Sequence, residues 1–285
     1  MAMGFTDRAR RLSSRWRLRQ RPLLAVSATV VLLYAILAAT APLLQQWGWL
    51  RDPTEFLPHP IHQAPNADYW WGTTRQGYDV LSRTLYGART ALQVVLAGTS
   101  FGFGFGVPLG LLSGYWGGGF DRATVFVMDA IYTLPGLLLA IAIAFVLGPG
   151  IVTAGVAVAL AYGPLYFRVV RSQTASVKAR GYVEAAIAAG APTAQILRRH
   201  IFPNILSSLP VLVALNAADA ISIAASLGFL GLGLPPEIPE WGQDLRVALD
   251  SFAAGSGIWW TAAFPGLAIA LLVTALSFLG ESFGE

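Results

Sequence analysis

Six long apolar runs constrain this chain more than any other feature of its sequence. Each run has about the 20 residues that an α-helix needs to cross the hydrocarbon core of a bilayer, and a helix satisfies its own backbone hydrogen bonds, as lipid requires. The composition agrees, because 55% of the 285 residues are hydrophobic and only 12% are charged. The sequence therefore predicts an all-α membrane protein with six transmembrane helices. The predicted spans are residues 23–44, 92–115, 124–147, 151–170, 206–232 and 259–279.

The basic residues predict how these spans are oriented. Most of the 19 lysines and arginines lie on one side of the membrane if the N-terminus is cytoplasmic, as the positive-inside rule favours. Residues 1–22 are then a basic cytoplasmic tail, which is predicted to orient the first helix (23–44) and to contact anionic lipid, not nucleic acid. Residues 45–91 form an extracytoplasmic loop and the segment before the next helix. Residues 92–285 form a five-helix core, with a cytoplasmic loop at about 178–204.

Glycines recur at helical spacing within the second predicted span. They include overlapping G-x-x-x-G pairs, a pattern that allows the backbones of two membrane helices to approach closely. We therefore expect this span to pack tightly against another helix. The glycines are Gly102, Gly104, Gly106, Gly110 and Gly114.

The cytoplasmic loop has a regular pattern of its own. A short Ala-rich helix is predicted to begin near Tyr182 and to end at Gly190, a residue suited to the position after a helix C-cap. Pro192 suits the first turn of a second helix, which is predicted to stop before Pro203. Glu184 is the one acid in this loop, and two roles stay open for it: a local salt bridge, or a contact with an arginine of a partner protein.

This loop resembles the EAA loop of permease subunits of ABC importers. The resemblance rests on Glu184-Ala185-Ala186, on Gly190, and on the ending His200-Ile201-Phe202-Pro203-Asn204, which is similar to the dipeptide, oligopeptide and nickel branch. The segments that begin at Trp71, Ser113 and Ser226 are similar to the same branch, so the resemblance covers about residues 70 to 280. It implies a type I ABC-importer (MetI-like) permease core with one extra N-terminal helix, as in the C-type permease of a heterodimeric pair.

The resemblance also implies a function and a set of partners. The chain would be a non-catalytic subunit of the bacterial cytoplasmic membrane that forms half of a translocation path for di- or oligopeptides; nickel or another small solute is the alternative. Its partners would be a second homologous permease, two cytoplasmic ATPases that bind ATP and Mg, and an extracytoplasmic substrate-binding protein. The residues implied in ATPase coupling are Tyr182, Glu184, Ala185, Ala186, Gly190, Pro192, Arg198, Arg199 and Pro203.

Independent of any resemblance, the chain has no phosphate-binding loop of its own. Such a loop needs Gly-Lys-Ser or Gly-Lys-Thr, whereas the single lysine, Lys178, lies between Val177 and Ala179. No cofactor or metal site is predicted, and the absence of cysteine excludes zinc–thiolate sites. The energy for transport must therefore come from a partner or from a gradient.

Ionisable residues inside the predicted spans leave a gradient as an alternative source of energy. Asp219 and Asp129 are candidates for the path or a gate, because acids within a membrane span are functional candidates by default. A gradient-driven carrier would place its coupling site there. An acidic outer segment is also a candidate contact for a binding protein, with solvated charge as the alternative. Its residues are Glu237, Glu240, Trp241 and Asp244.

Overall fold

Helices account for nearly all regular structure in this protein. A computed structural model describes residues 3–55, 60–253, 255 and 258–283, with side chains from Pro22 onward. Five helices are long and apolar enough to cross a membrane, and there are six such spans if one bent pair of helices counts as a single span. The all-α architecture is therefore confirmed. The main helices are α1 (Met3–Gln46), α2 (Val80–Trp116), α3 (Gly118–Tyr132), α4 (Gly136–Leu147), α5 (Ile151–Lys178) and α6 (Gly181–Ala188). They are followed by α7 (Thr193–Gln195), α8 (Phe202–Ile205), α9 (Leu209–Phe229), α10 (Trp241–Ala253) and α11 (Trp260–Phe283).

Helices α2 and α5 are the most closely packed helix pair in the described part of the bundle. At Gly106 an added Cβ would lie 2.6 Å from the Gly163 carbonyl oxygen, and at Gly110 it would lie 2.7 Å from that of Phe167. The glycines thus allow direct contact between backbones, as the sequence predicts. Gly104 is the exception, since a Cβ there would meet nothing within 4 Å. The two helices run parallel, because successive glycines of α2 meet successive turns of α5.

The third predicted span is not one helix. Residues 124–147 are divided between α3 and α4, whose axes are bent by 87°. Pro135 lacks an N–H group and disfavours helical angles in the residue before it, so α3 ends at Tyr132 and α4 begins at Gly136. The prediction of a continuous helix is wrong here, although the segment still supplies the sixth span if the bent pair counts as one.

The helix after Pro192 does not stop before Pro203. It continues as one run from Thr193 to Phe229 through a π-helical turn at Ile196–Ile201 and a 3₁₀ turn at Leu206–Ser208. Pro203 cannot donate to the carbonyl four residues back, and in the wider turn the Phe202 N–H instead donates to Leu197, five residues back. The predicted stop is therefore wrong. Its physical consequence is that the loop and the following span are mechanically continuous.

The bundle has two ends that differ in character. The loop end carries the C-termini of α2 and α5 together with α6. The opposite end carries residues 45–55 and 60–79, the start of α2, and α10, which packs on α9 and α11. Helix α2 begins at Val80, where the Asp79 carboxylate accepts the Ser82 N–H at 2.9 Å, so it extends into the segment predicted to precede it. Between the ends lies an apolar core that is rich in alanine and is formed mainly by α2, α5, α9 and α11.

Candidate functional site

The loop end displays a short helix and a tight turn. Helix α6 ends in a Schellman motif: Gly190 N–H donates to the Ile187 carbonyl at 3.0 Å, and Ala191 N–H donates to that of Ala186 at 3.1 Å. Gly190 has φ +79°, a left-handed conformation that glycine adopts without strain. The position predicted for it after the helix C-cap is therefore the one observed. Pro192 lies one residue before the next helix and accepts the N–H of Gln195 at 2.9 Å.

A buried apolar cluster anchors this loop to the bundle. Val183 of α6 is 0% exposed, and Ile196 and Ile201 of the π-helical turn are equally buried. They pack with Val170 and Val177 of α5, among others. Because the anchors come from both arms of the loop, α6 and the helix after it are attached to the same part of the bundle and should move with it.

The opposite side of the loop is exposed. Of the nine residues implied in coupling, eight are exposed and only Ala186 is half-buried. Glu184 takes part in none of the ion pairs found among the described residues, so a local salt bridge does not occupy it. Arg198 and Arg199 are exposed nearby and give the surface a basic edge. The loop thus presents small side chains, one free acid and two bases.

Two polar contacts brace the base of the loop, and sequence reasoning did not identify them. Lys178, at the end of α5, donates to the Tyr115 carbonyl of α2 at 2.5 Å and lies 5.0 Å from the centre of the Tyr115 ring. Arg171 pairs with Asp121 through two nitrogens, at 2.5 and 2.6 Å. These contacts join α2, α3 and α5 directly above the loop. The only signal in the sequence for these contacts is that Lys178 and Arg171 are basic residues at the predicted cytoplasmic end of a span.

The two acids predicted inside spans have different surroundings. Asp129 of α3 pairs with Arg168 of α5 at 2.8 Å, and the Arg168 guanidinium also lies 4.4 Å from the centre of the Tyr132 ring. Asp219 of α9 is exposed, and the Tyr162 side chain of α5 lies beside it. In the described part of the chain no ion pair includes Asp219. One acid is therefore neutralised by a cation, whereas the other is not.

The acidic segment at the opposite end is largely structural. Trp241 is buried and donates from its indole nitrogen to the Thr84 carbonyl at 2.8 Å. Asp244 pairs at 2.9 Å with Arg83, which is only 3% exposed. Of the four residues predicted to contact a binding protein, Glu237 alone is exposed. Trp241 and Glu240 are buried, and both side chains pack α10 onto the bundle, so a contact of these two with a binding protein stays a prediction.

Glu240 is the most unusual ionisable group at that end. It is 8% exposed and accepts the backbone N–H groups of Gly242 and Gln243, at 2.8 and 2.9 Å, at the start of α10. Burial raises the pKa of this carboxyl to about 7, and the two hydrogen bonds lower it only in part. The described residues contain no group of three or more His, Cys, Asp or Glu side chains placed to hold a metal ion.

The membrane-length helices and the exposed loop anchored by Val183, Ile196 and Ile201 fit a subunit of a membrane transport complex. The comparisons with known proteins agree. Residues 106–284 match the family described as binding-protein-dependent transport system inner membrane component, and the chain belongs to this family. It is therefore an ABC-transporter permease, a non-catalytic membrane subunit of a complex that also contains ATPase and substrate-binding partners. The resemblance stated from the EAA loop is confirmed, and a gradient-driven carrier is no longer an alternative.

Curated relatives are similar over almost the whole chain. The dipeptide transport system permease protein DppC of Alkalihalophilus pseudofirmus is 36% identical over 277 residues, which cover 95% of this chain and 89% of the relative. The glutathione transport system permease protein GsiD of Pectobacterium atrosepticum is 37% identical over 273 residues, covering 95% and 88%. Both relatives are named for the transport of short peptides.

A solved structure is similar in fold. It is a chain of the MetNI methionine ABC transporter in an inward-facing conformation, with a TM-score of 0.56 at 21% identity. The match covers 71% of this chain and 93% of that one, so the core of this chain has the MetI-like permease fold, as predicted.

Proposed function

We propose that this chain forms half of the translocation path of a peptide importer in the bacterial cytoplasmic membrane. The observation that carries the proposal is the loop around Gly190, which is exposed on one side and anchored on the other by Val183, Ile196 and Ile201. A helix displayed in this way fits a groove on a partner, and its buried side transmits force to the bundle. Di- and oligopeptides are the proposed solutes, because the curated relatives are named for dipeptide and glutathione transport.

The proposed coupling follows from the continuity of the chain through the loop. The run Thr193–Phe229 joins the second arm of the loop to a membrane span without a flexible linker. A displacement of α6 by an ATPase would therefore be transmitted to α9, and through the buried cluster to α5. Packed helices respond to such a load by moving as rigid bodies between discrete arrangements. In this proposal ATP and Mg bind only to the ATPase partners.

The proposed orientation places the loop end in the cytoplasm. Arg122, Arg168, Arg171, Lys178 and Arg180 cluster toward that end, in agreement with the positive-inside rule. The N-terminus would then be cytoplasmic, and α10 would face an extracytoplasmic binding protein. A second, homologous permease would complete the path. Glu237 is the residue of the acidic segment that remains exposed for a contact with the binding protein.

A matched pair of glycine substitutions tests the coupling role. Gly190 and Gly48 both follow a helix in a Schellman motif, with φ values of +79° and +76°, and at both positions an added Cβ would meet nothing within 4 Å. Arginine at either site should cost about 1 to 2 kcal/mol of backbone strain without a clash. Only Gly190→Arg places a long cation on the proposed ATPase contact, whereas Gly48→Arg lies at the opposite end.

The chain would be coexpressed with its partner permease, ATPases and binding protein, and purified through a tag on this chain. We expect the ATPases to co-purify with the parent and with Gly48→Arg, and dipeptide-loaded binding protein to stimulate hydrolysis in both. Gly190→Arg should lose either the association or at least about 90% of the stimulation. Equal behaviour of the two variants, or no ATPase bound to the parent, would overturn the proposal.

A further inference from the structure

A polar face runs along α9 at the middle of the membrane span. Asp219 lies near the centre of Leu209–Phe229, and Ser222 and Ser226 follow it at about one-turn spacing. The Ser222 hydroxyl donates to the Ala218 carbonyl at 3.2 Å, and the Ser226 hydroxyl donates to that of Ser222 at 2.7 Å. Asp219 and Ser222 are exposed. An exposed carboxylate at this depth is costly in lipid, so this face should meet water.

The break between α3 and α4 lies at the same depth, which is an independent indication. A Cβ at Gly136, the first residue of α4, would lie 3.5 Å from Ala161 Cβ and 3.5 Å from Ile223 Cδ1. Ala161 precedes Tyr162, which lies beside Asp219, and Ile223 lies one turn beyond Asp219. The broken backbone at Tyr132–Pro135 is exposed. Irregular backbone at membrane depth is tolerated where it is buried in protein or lines a water-filled cavity.

The charges on this face do not balance. Asp129 of α3 is paired with Arg168 of α5, so these two groups contribute no net charge. Helix α4 carries no ionisable side chain. On α9 the Asp219 side chain lies beside the neutral Tyr162 phenol, and none of the described ion pairs includes Asp219. The face therefore has one acid near mid-span without an ion-pair partner among the described residues, beside a phenol and two serine hydroxyls.

We propose that Asp219 and Tyr162 form a subsite that binds a positively charged group of the solute as it passes. The group would be the α-ammonium of a peptide, or a lysine or arginine side chain. A carboxylate in a confined path favours such a cation and disfavours a carboxylate of the solute. The inference rests on the proposed function, since it requires this face to line the path. It goes further by naming the solute charge that the path selects.

The absence of cysteine from this chain allows a direct test. In the assembled transporter, Ser222→Cys would be treated with two methanethiosulfonate reagents, one carrying a trimethylammonium group and one a sulfonate, and modification of this chain would be followed by mass. We expect both reagents to react and the cationic one to be favoured. At about 6 Å in a water-filled path, removal of the Asp219 charge should lower the cationic-to-anionic rate ratio about tenfold.

The comparison variants are Asp219→Asn and Asp250→Asn, each in the Ser222→Cys background. Asp250 is an exposed acid on a different helix, α10, so its removal matches the change in net charge and should leave the ratio unaltered. No reaction at Ser222→Cys would show that this face meets lipid or packed protein, and it would overturn the proposal. An unchanged ratio in Asp219→Asn would do the same, because it would mean that a cation of the partner permease already neutralises the site.

Transport gives a second readout. With Asp219→Asn, uptake of Ala-Lys relative to Ala-Glu should fall at least about fivefold. Both dipeptides reach every variant through the same binding protein, so the ratio reports on the path. Asp219→Glu should restore the parental ratio. An equal loss for both dipeptides, or no loss, would contradict a charge-selective subsite. Co-purification of the ATPases is measured on the same samples. Its failure would refute the proposed function, whereas its success with an unchanged selectivity would refute only the subsite.

Discussion

Glu240 allows the strongest quantitative prediction, because a single buried carboxyl links stability to pH. The side chain is 8% exposed and packs against Gly228, where a Cβ would have no room beside the carboxylate. Its environment disfavours the charged form, although Gly242 and Gln243 donate to it and Arg83 lies near enough to lower its pKa. Burial is the larger effect, so the carboxyl titrates at about 7 in the folded chain, compared with about 4.5 in an unfolded one.

The sign of the effect follows from proton binding. Between pH 4.5 and about 7 the folded chain holds a proton on Glu240 that the unfolded chain has released. The free energy of unfolding therefore falls as the pH rises through this window, and this contribution is constant above it. A pKa difference of this size corresponds to about 3 kcal/mol. Glu240→Gln removes the charge and weakens the cap of α10 by about 1 kcal/mol, which leaves a net gain of about 2 kcal/mol at pH 8.5.

Thermal unfolding of the purified chain in detergent, followed by tryptophan fluorescence, measures this gain. At about 2 °C for each kcal/mol, Glu240→Gln should unfold about 4 °C above the parent at pH 8.5, and at or below it at pH 4.5. Glu237→Gln is the control, because it removes an exposed carboxyl three residues away and should follow the parent at every pH. A difference between Glu240→Gln and the parent that does not change with pH would refute the reasoning.

Three further predictions test packing in other parts of the chain. Gly110→Ala should destabilise the bundle by about 1 to 3 kcal/mol because its Cβ would lie 2.7 Å from a backbone oxygen of α5, whereas Gly104→Ala, with nothing within 4 Å, should be neutral or stabilising in the same denaturation assay. Arg83→Met should cost about 3 to 5 kcal/mol, because it leaves Asp244 without its partner; a melting temperature equal to the parent's would contradict this. Val183→Ala should speed hydrogen exchange in α6 but not in α9, and uniform exchange would show that Val183 is not a local anchor.

The sequence determined those features that depend on local pattern. Hydropathy and length predict spans, because lipid admits only segments that satisfy their own backbone. The turn at Gly190 was predictable for a similar reason: a left-handed residue after an Ala-rich helix is nearly always glycine or asparagine, and the motif lies within a few residues. The family was also visible in the EAA loop, since its spacing is a local property. None of these inferences needed to know which helices are neighbours.

Only the tertiary structure decided how the ionisable residues are used. Asp244 is paired with a residue 161 positions away in the sequence, Arg83, and Asp129 with one 39 positions away, Arg168, whereas Asp219 has no such partner among the described ion pairs. In the sequence, residue type alone does not distinguish an acid that will be paired from one that will not. Whether a charge is buried, paired or left facing a path depends on the groups that packing brings within a few ångströms, and the cost of burying it changes steeply with those neighbours. For the same reason Glu240, which resembles a surface acid in the sequence, is a buried helix cap in the folded protein.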